Sequence, residues 1–164
     1  MVRRFIGDFH QKVDGKGRMS IPADFRRVLE AGDPSWSEGK NPEFVVHYGD
    51  HRRPYVEAYT MEAFDEIDAK IRMMKRGSKE RRMLEEYFFG HSVKLQVDET
   101  GRIVLPARVR DRLGLKDAAY FISSGDTFQI WNPVDREGGG ASVRDWLDAQ
   151  DEDFDPLVLA GGEE

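Results

Sequence analysis

Cysteine is absent from this 164-residue chain. Disulfides, thiolate metal sites and a cysteine nucleophile are therefore excluded, and the composition suits a reducing compartment. Long apolar runs are missing as well. Nothing approaches the roughly 18 consecutive apolar residues of a membrane span, and the first residues, MVRRFIGDFHQKVD, set charges on both sides of a two-residue apolar step. A cytoplasmic protein with no membrane partner is expected. Catalytic signatures are also lacking: there is no P-loop, dinucleotide fingerprint or Gly-x-Ser-x-Gly, and His10, His47, His51 and His91 show no metal-ligand spacing. No enzymatic activity, cofactor or metal ion is expected, and no residue is assigned as catalytic.

What is present suffices for a packed core: 39% of residues are hydrophobic, with ten Phe, five Tyr and three Trp. The net charge of −6 seems to disfavour a nucleic-acid partner, but its placement is uneven. From Glu137 to Glu164 there are nine acids and one base, whereas residues 1–136 hold 24 bases and 22 acids. An acidic tail thus hides a mildly basic body.

The body contains one pattern written twice. VDGKGRMSIPA at residues 13–23 returns as VDETGRIVLPA at 97–107, so that Asp14 recurs as Asp98, an offset of 84 residues. In each copy a short alternating segment enters an Asp-x-x-Gly turn, where Asp can bond neighbouring amides and Gly17 or Gly101 supplies φ > 0. This is a hairpin signal. β-formers of period two follow, with Arg18 and Ser20, or Arg102 and Val104, on one face. Pro22 and Pro106 then end the strand and open a short helix, the second stopping at Gly114. Further strands are expected at Glu43 to Tyr48, Tyr55 to Tyr59, Ala119 to Ser123 and Thr127 to Trp131. Each copy therefore reads as strand, strand, short helix, strand, strand.

A helical pair separates the copies. Thr60 is a suitable N-cap for a stripe of Phe64, Ile67, Ile71 and Met74; Gly77 and Ser78 break it, and the apolar face resumes from Met83 to Phe89. The expected organisation is a first module at 1–60, a helical connector at 61–90, a second module at 91–136 and a flexible acidic tail at 137–164, with a hinge at the three glycines 138–140 and a short helix from Val143 to Leu147.

FIGDFHQKVDGKGRMSIPADFR, together with VDETGRIVLPARVR, resembles the MraZ family of bacterial transcription factors, over about residues 1–136. Both copies keep the family's Asp-x-x-x-Arg motif, as Asp14 to Arg18 and Asp98 to Arg102. The modules are similar to AbrB-type regulators and the antitoxins that share their fold. The resemblance implies an α+β, mainly β fold in which two tandem AbrB-like, swapped-hairpin modules form a pseudo-dimeric β-barrel with flanking helices. It also implies a homo-oligomeric ring, associated with the nucleoid, that represses the division and cell-wall gene cluster by binding tandem promoter repeats in double-stranded DNA. The extension after Pro133 and the segment Gly32 to Lys40 match no family motif.

Arg18 and Arg102 are the first candidates for DNA contact, since a guanidinium after a turn can fork onto a phosphate or onto guanine O6 and N7. The competing reading is an Asp-Arg pair that only staples its own turn; the resemblance favours contact for Arg18. Lys16, Gly17, Arg3 and Arg4 complete the candidate DNA-binding set, with Asp14, Asp98 and Gly101 as turn residues. Glu99 and Thr100 replace the more basic character of the first turn, so the first copy is expected to dominate contact. The run Lys70 to Arg82 holds seven bases against Glu80. It is a candidate phosphate track, although a solvated helix face paired with nearby acids is the plainer reading. The alternative function is an oligomeric protein-interaction scaffold or antitoxin-like partner binder.

Overall fold

The computed structural model describes residues 4–138 and 142–161. The first copy supplies β1 (Asp8–Lys12), β2 (Arg18–Ser20), α1 (Ala23–Ala31), β3 (Glu43–His47) and β4 (Tyr55–Thr60), and the second β5 (Ser92–Gln96), β6 (Arg102–Val104), α4 (Ala107–Leu113), β7 (Ala118–Ser123) and β8 (Thr127–Trp131). Between them lie α2 (Met61–Arg72), α3 (Lys79–Glu85) and a π turn, Glu86–Gly90. Thr60 and Ser78 cap α2 and α3 by accepting from the amides of Ala63 and Arg81. The two prolines stand immediately before the first helical residues of α1 and α4, and Gly114 ends α4 at φ 65°.

β3 pairs with β4 and β7 with β8, but the strands flanking the two Asp-x-x-Gly turns do not pair with each other as local hairpins. Asp14 N donates to Arg18 O, so the turn closes, but β1 then pairs antiparallel with β7, and β2 with β6. The six-stranded sheet has the order β1-β7-β8-β4-β3-β5, and β2-β6 forms a separate ladder. Exchanging each strand for its counterpart in the other copy reverses this order and leaves it unchanged. A pseudo-two-fold axis therefore passes between β4 and β8 and through the β2-β6 ladder.

The expected closed barrel is not what the pairing produces. β1 and β5 are the two edges of the six-stranded antiparallel sheet, and β2-β6 stands apart as a two-stranded ladder of three residues per strand. The result is a sheet-rich mixed α and β fold.

One core serves both copies. The inward face of the sheet carries Phe44, Val46, Val56, Ala58, Phe121, Phe128 and Ile130; Met19 and Ile103 close it from the ladder, and Phe25, Leu29, Val109 and Leu113 from α1 and α4. Phe25 lies at its centre, with Phe5, Phe9 and Phe128 at centroid distances of 5.0, 5.3 and 4.9 Å. On the opposite face α2 packs over β3 and β4, and His47 is buried against Tyr87 and Phe88. The segment Gly32 to Lys40 is a loop tied by buried Asp33, whose carboxylate accepts from the amides of Ser35 and Glu43.

Beyond the second copy the sequence pattern fades, yet α5 (Pro133–Gly138) forms there, with Arg136 over the rings of Trp131 and Tyr120. The expected short helix is α6 (Val143–Asp148), capped by Ser142; α7 (Val158–Gly161) follows. Of the three hinge glycines, Gly138 ends α5, and Gly139 and Gly140 lie outside the described residues.

Candidate nucleic-acid interface

The β2-β6 ladder brings the two motif arginines onto one surface. In its register Arg18 faces Val104, Met19 faces Ile103 and Ser20 faces Arg102. Met19 and Ile103 are each 1% exposed, so the alternation of the strands turns Arg18, Ser20, Arg102 and Val104 outward together. Arg18 and Arg102, with Lys12, Asp14 and Asp117, line a groove of about 480 Å³ on that side.

The two turns are built alike and finished differently. In the first, Asp14 Oδ1 accepts from the amides of Lys16 and Arg18, both at 2.9 Å, while its Oδ2 accepts from Arg18 Nε at 2.7 Å. The amide of Arg18, and then its guanidinium, lower the Asp14 carboxyl to a pKa of about 2. In the second, Asp98 Oδ1 accepts from the amides of Thr100 and Arg102, but also from the Thr100 hydroxyl at 2.7 Å. Thr100 Oγ1 in turn accepts from Arg102 Nε at 3.1 Å. The same kinds of bond, led by the Arg102 amide, lower the Asp98 carboxyl.

Sequence decides this difference at one position. Lys16 offers no side-chain acceptor, so Arg18 reaches its aspartate; Thr100 offers a hydroxyl, which stands between Arg102 and Asp98. Arg18 therefore presents a charge compensated by Asp14, although four of its five N–H donors remain for other acceptors. Arg102 has no carboxylate within salt-bridge distance among the described residues.

Sequence reasoning missed that each turn is braced by the other copy. Arg110 Nε donates to Leu105 O at 3.0 Å and lies over Gly17, where an added Cβ would stand 2.6 Å from Nε and 2.7 Å from Leu105 O. Arg26, its counterpart in α1, donates to Asp98 O at 2.8 Å and also pairs with Glu30. The signal was present, since Arg26 and Arg110 match at the repeat offset, but a match in sequence does not say which turn each arginine reaches.

Other candidates lie elsewhere or outside. Lys16 is exposed at the turn. Arg4 stands next to Phe5, which precedes β1 and whose amide bonds to Gly125 O in the β7-β8 turn, whereas the ribbon lies beyond the opposite end of β1 at Lys12. The structure does not bring Arg4 to the ribbon, and Arg3 lies outside the described residues. In the basic run, Arg72 pairs with Asp68 at 2.8 Å and Arg81 with Glu85 at 3.1 Å. Among the described residues no group of three or more His, Asp or Glu is placed to hold a metal, and no helix is long and apolar enough to cross a membrane.

A family profile described as "MraZ protein, putative antitoxin-like" matches residues 88–137, the second copy. A protein of Ruegeria pomeroyi named "Transcriptional regulator MraZ" is 58% identical over 164 residues, covering 99% of this chain and 98% of the relative. The chain belongs to the MraZ family. A second MraZ relative, from another Ruegeria, is 56% identical over 99% of this chain and 98% of its own length. A Cereibacter sphaeroides MraZ relative is 44% identical over 138 residues, covering 80% of this chain and 81% of its own. The Asp-x-x-x-Arg turns thus sit in a MraZ chain whose two copies share one sheet.

Proposed function

We propose that this chain is a transcriptional regulator that binds duplex DNA in a sequence-specific way and represses the division and cell-wall gene cluster. The observation that carries the reading is the β2-β6 ribbon, which turns Arg18 and Arg102 to the same exposed side. A two-stranded ribbon fits the major groove, and paired guanidinium groups there can grip phosphates or guanine edges. Lys12 and Lys16 add positive potential beside it; Arg4 is no part of that surface. The names of the relatives support the regulatory role.

In this reading the two AbrB-like modules, 1–60 and 91–136, interlock about the pseudo-two-fold, with 61–90 as connector and 137–164 as an appended tail. One ribbon supplies few phosphate contacts. Several copies in a ring raise the effective concentration of each ribbon and select promoters with regularly spaced repeats, which the bound ring then occludes. The protein acts in the cytoplasm, at the nucleoid.

Retardation of a promoter fragment carrying tandem repeats tests this. Affinity should fall steeply with salt, and Arg102→Ala should weaken binding and lower the salt slope by about 1 per lost phosphate contact. Unchanged affinity in Arg18→Ala, Arg102→Ala and their combination would sink the proposal.

A second reading, an oligomeric scaffold or antitoxin-like partner binder, is favoured by the exposed apolar side chains of the tail. Recovery of one stoichiometric protein from nuclease-treated lysate, with no DNA retention, would select it.

A further inference from the structure

Among the described residues, the C-terminal segment and one groove stay unpartnered within a single chain. Residues 142–161 carry six acids (Asp145, Asp148, Asp151, Glu152, Asp153 and Asp155) against Arg144. Among the described residues their hydrogen bonds are all internal to the segment. Leu157, Val158 and Leu159 are nevertheless 73%, 65% and 62% exposed. Three successive large apolar side chains held in water beside a run of acids have the make-up of a docking peptide, whose anchors lose water on contact and whose charges steer and orient it.

The second surface is a groove of about 440 Å³ between α2, the π turn and β5, lined by Val45, Met61, Phe64, Phe89 and Val93 together with the polar Asp65, Asp68, Ser92 and Lys94. Phe89 is 40% exposed, and among the described residues Ser92 Oγ in the groove wall is buried without a hydrogen-bond partner. A buried hydroxyl left unpaired is costly, and an inserted segment would supply its partner.

The charge around this groove changes sign along α2. Met61, Asp65, Asp68 and Arg72 follow one another at helical spacing, and Arg72 neutralises Asp68. Past them, Lys70, Lys75, Arg76, Lys79 and Arg82 are exposed and, among the described residues, have no carboxylate within 4.0 Å. A mainly apolar groove followed along the chain by a run of exposed bases complements an acidic segment with an apolar end.

We propose that the C-terminal segment of one copy docks on the α2-α3 face of a second copy, with Leu157 to Leu159 in the groove and the acids from Asp151 to Asp155 against Lys75, Arg76 and Lys79. A second copy is the occupant because, in one folded chain, no hydrogen bond or ion pair among the described residues joins segment and face. Both are left over once the chain has folded, and their charges match. This contact does not depend on DNA binding. It would fasten neighbours in an assembly through a segment outside the repeated body, and it would cover the basic run that otherwise resembles a phosphate track.

A charge-swap experiment on the full-length protein tests the contact by analytical ultracentrifugation. Reversing the face (Lys75→Glu, Arg76→Glu, Lys79→Glu) should weaken self-association by roughly tenfold at low salt, as should reversing the tail (Asp151→Lys, Asp153→Lys, Asp155→Lys). Mixing the two reversed proteins should restore it. Because the chain has no cysteine, two singly substituted proteins, Lys94→Cys and Val158→Cys, should cross-link as a mixed dimer without background. The proposal is overturned if both reversals leave the mass unchanged, or if the two cysteines in one chain link only within that chain, which is the signature of self-docking. It is equally overturned if reversing the face lowers DNA affinity and leaves self-association intact, since the run is then a phosphate track.

Discussion

Asp14 and Arg18 form a direct ion pair at 2.7 Å, whereas their counterparts Asp98 and Arg102 are separated by the hydroxyl of Thr100. Two turns with one backbone plan therefore present different charge to a ligand. A phosphate approaching Arg18 meets a guanidinium already shared with a carboxylate. At Arg102 it meets a hydroxyl acceptor that carries no opposing charge.

Asp14→Asn should raise affinity for DNA and steepen its salt dependence by up to about 1 in slope. Asparagine keeps an oxygen for the amides of Lys16 and Arg18 but removes the charge that compensates Arg18. Conversely, Thr100→Val removes the intervening hydroxyl, allows Arg102 to close on Asp98, and should weaken binding. Gel retardation across a salt series measures both, and equal slopes for all three proteins would refute the assignment.

The acid limb of stability should report the same turns. Both aspartates have folded pKa values below their ordinary value near 3.8, Asp14 at about 2. Groups depressed in this way stabilise the fold above the unfolded pKa, and that contribution is lost as pH falls through the folded value. The stability difference between the wild type and Asp14→Asn should shrink between pH about 4 and about 2. A difference that stays constant across that window would show that the carboxylate does not contribute.

His47 makes a prediction nearer neutrality. Burial lowers its pKa from 6.5 and outweighs the hydrogen bond that its Nε2 donates to Tyr87 O at 2.8 Å, which favours the charged ring. The unfolded chain takes up a proton below 6.5 that the folded chain resists. Stability should be full above that pH and decline as pH falls toward the lower folded value. Thermal unfolding of His47→Gln should lack this decline, and a parallel pH profile for the two proteins would contradict it.

Two glycines separate backbone strain from crowding. Gly17 and Gly101 have nearly equal φ, 82° and 80°, but a Cβ at Gly101 meets nothing within 4 Å, whereas at Gly17 it would lie 2.7 Å from Leu105 O. Gly101→Ala should cost about 1 kcal/mol from the left-handed conformation. Gly17→Ala should cost distinctly more and disturb the β2-β6 ladder, whose flanking bond runs from Leu105 N to Gly17 O. Chemical denaturation of both variants gives the comparison; equal losses would mean that the turn moves aside freely.

Phe25→Ala should remove about 3–5 kcal/mol by emptying the centre of the aromatic cluster. Phe25 is fully buried and touches rings contributed by both copies, so the loss should appear as one cooperative shift in the unfolding midpoint. Two separate transitions would contradict a shared core.

Sequence by itself determined the local elements: Pro22 and Pro106 ahead of short helices, Thr60 and Ser78 as caps, Gly114 as a stop, and period-two strands after each Asp-x-x-Gly turn. These follow from backbone chemistry within a few residues, which is why β8 and the turns at Asp14 and Asp98 lie where their residues require. Tertiary structure alone decided the partners. Nothing local tells β1 to pair with β7 in place of β2, or Arg110 to brace the turn of the other copy, because register and strand order are chosen by burying one hydrophobic face against a surface far along the chain. The six-stranded sheet, the common ribbon of Arg18 and Arg102, and the separation of Arg4 from it all arise from that long-range choice. The difference between the two turns lies between these cases: Thr100 in place of Lys16 is legible in the sequence, but its effect on Arg102 requires the geometry that sets a hydroxyl between a guanidinium and a carboxylate.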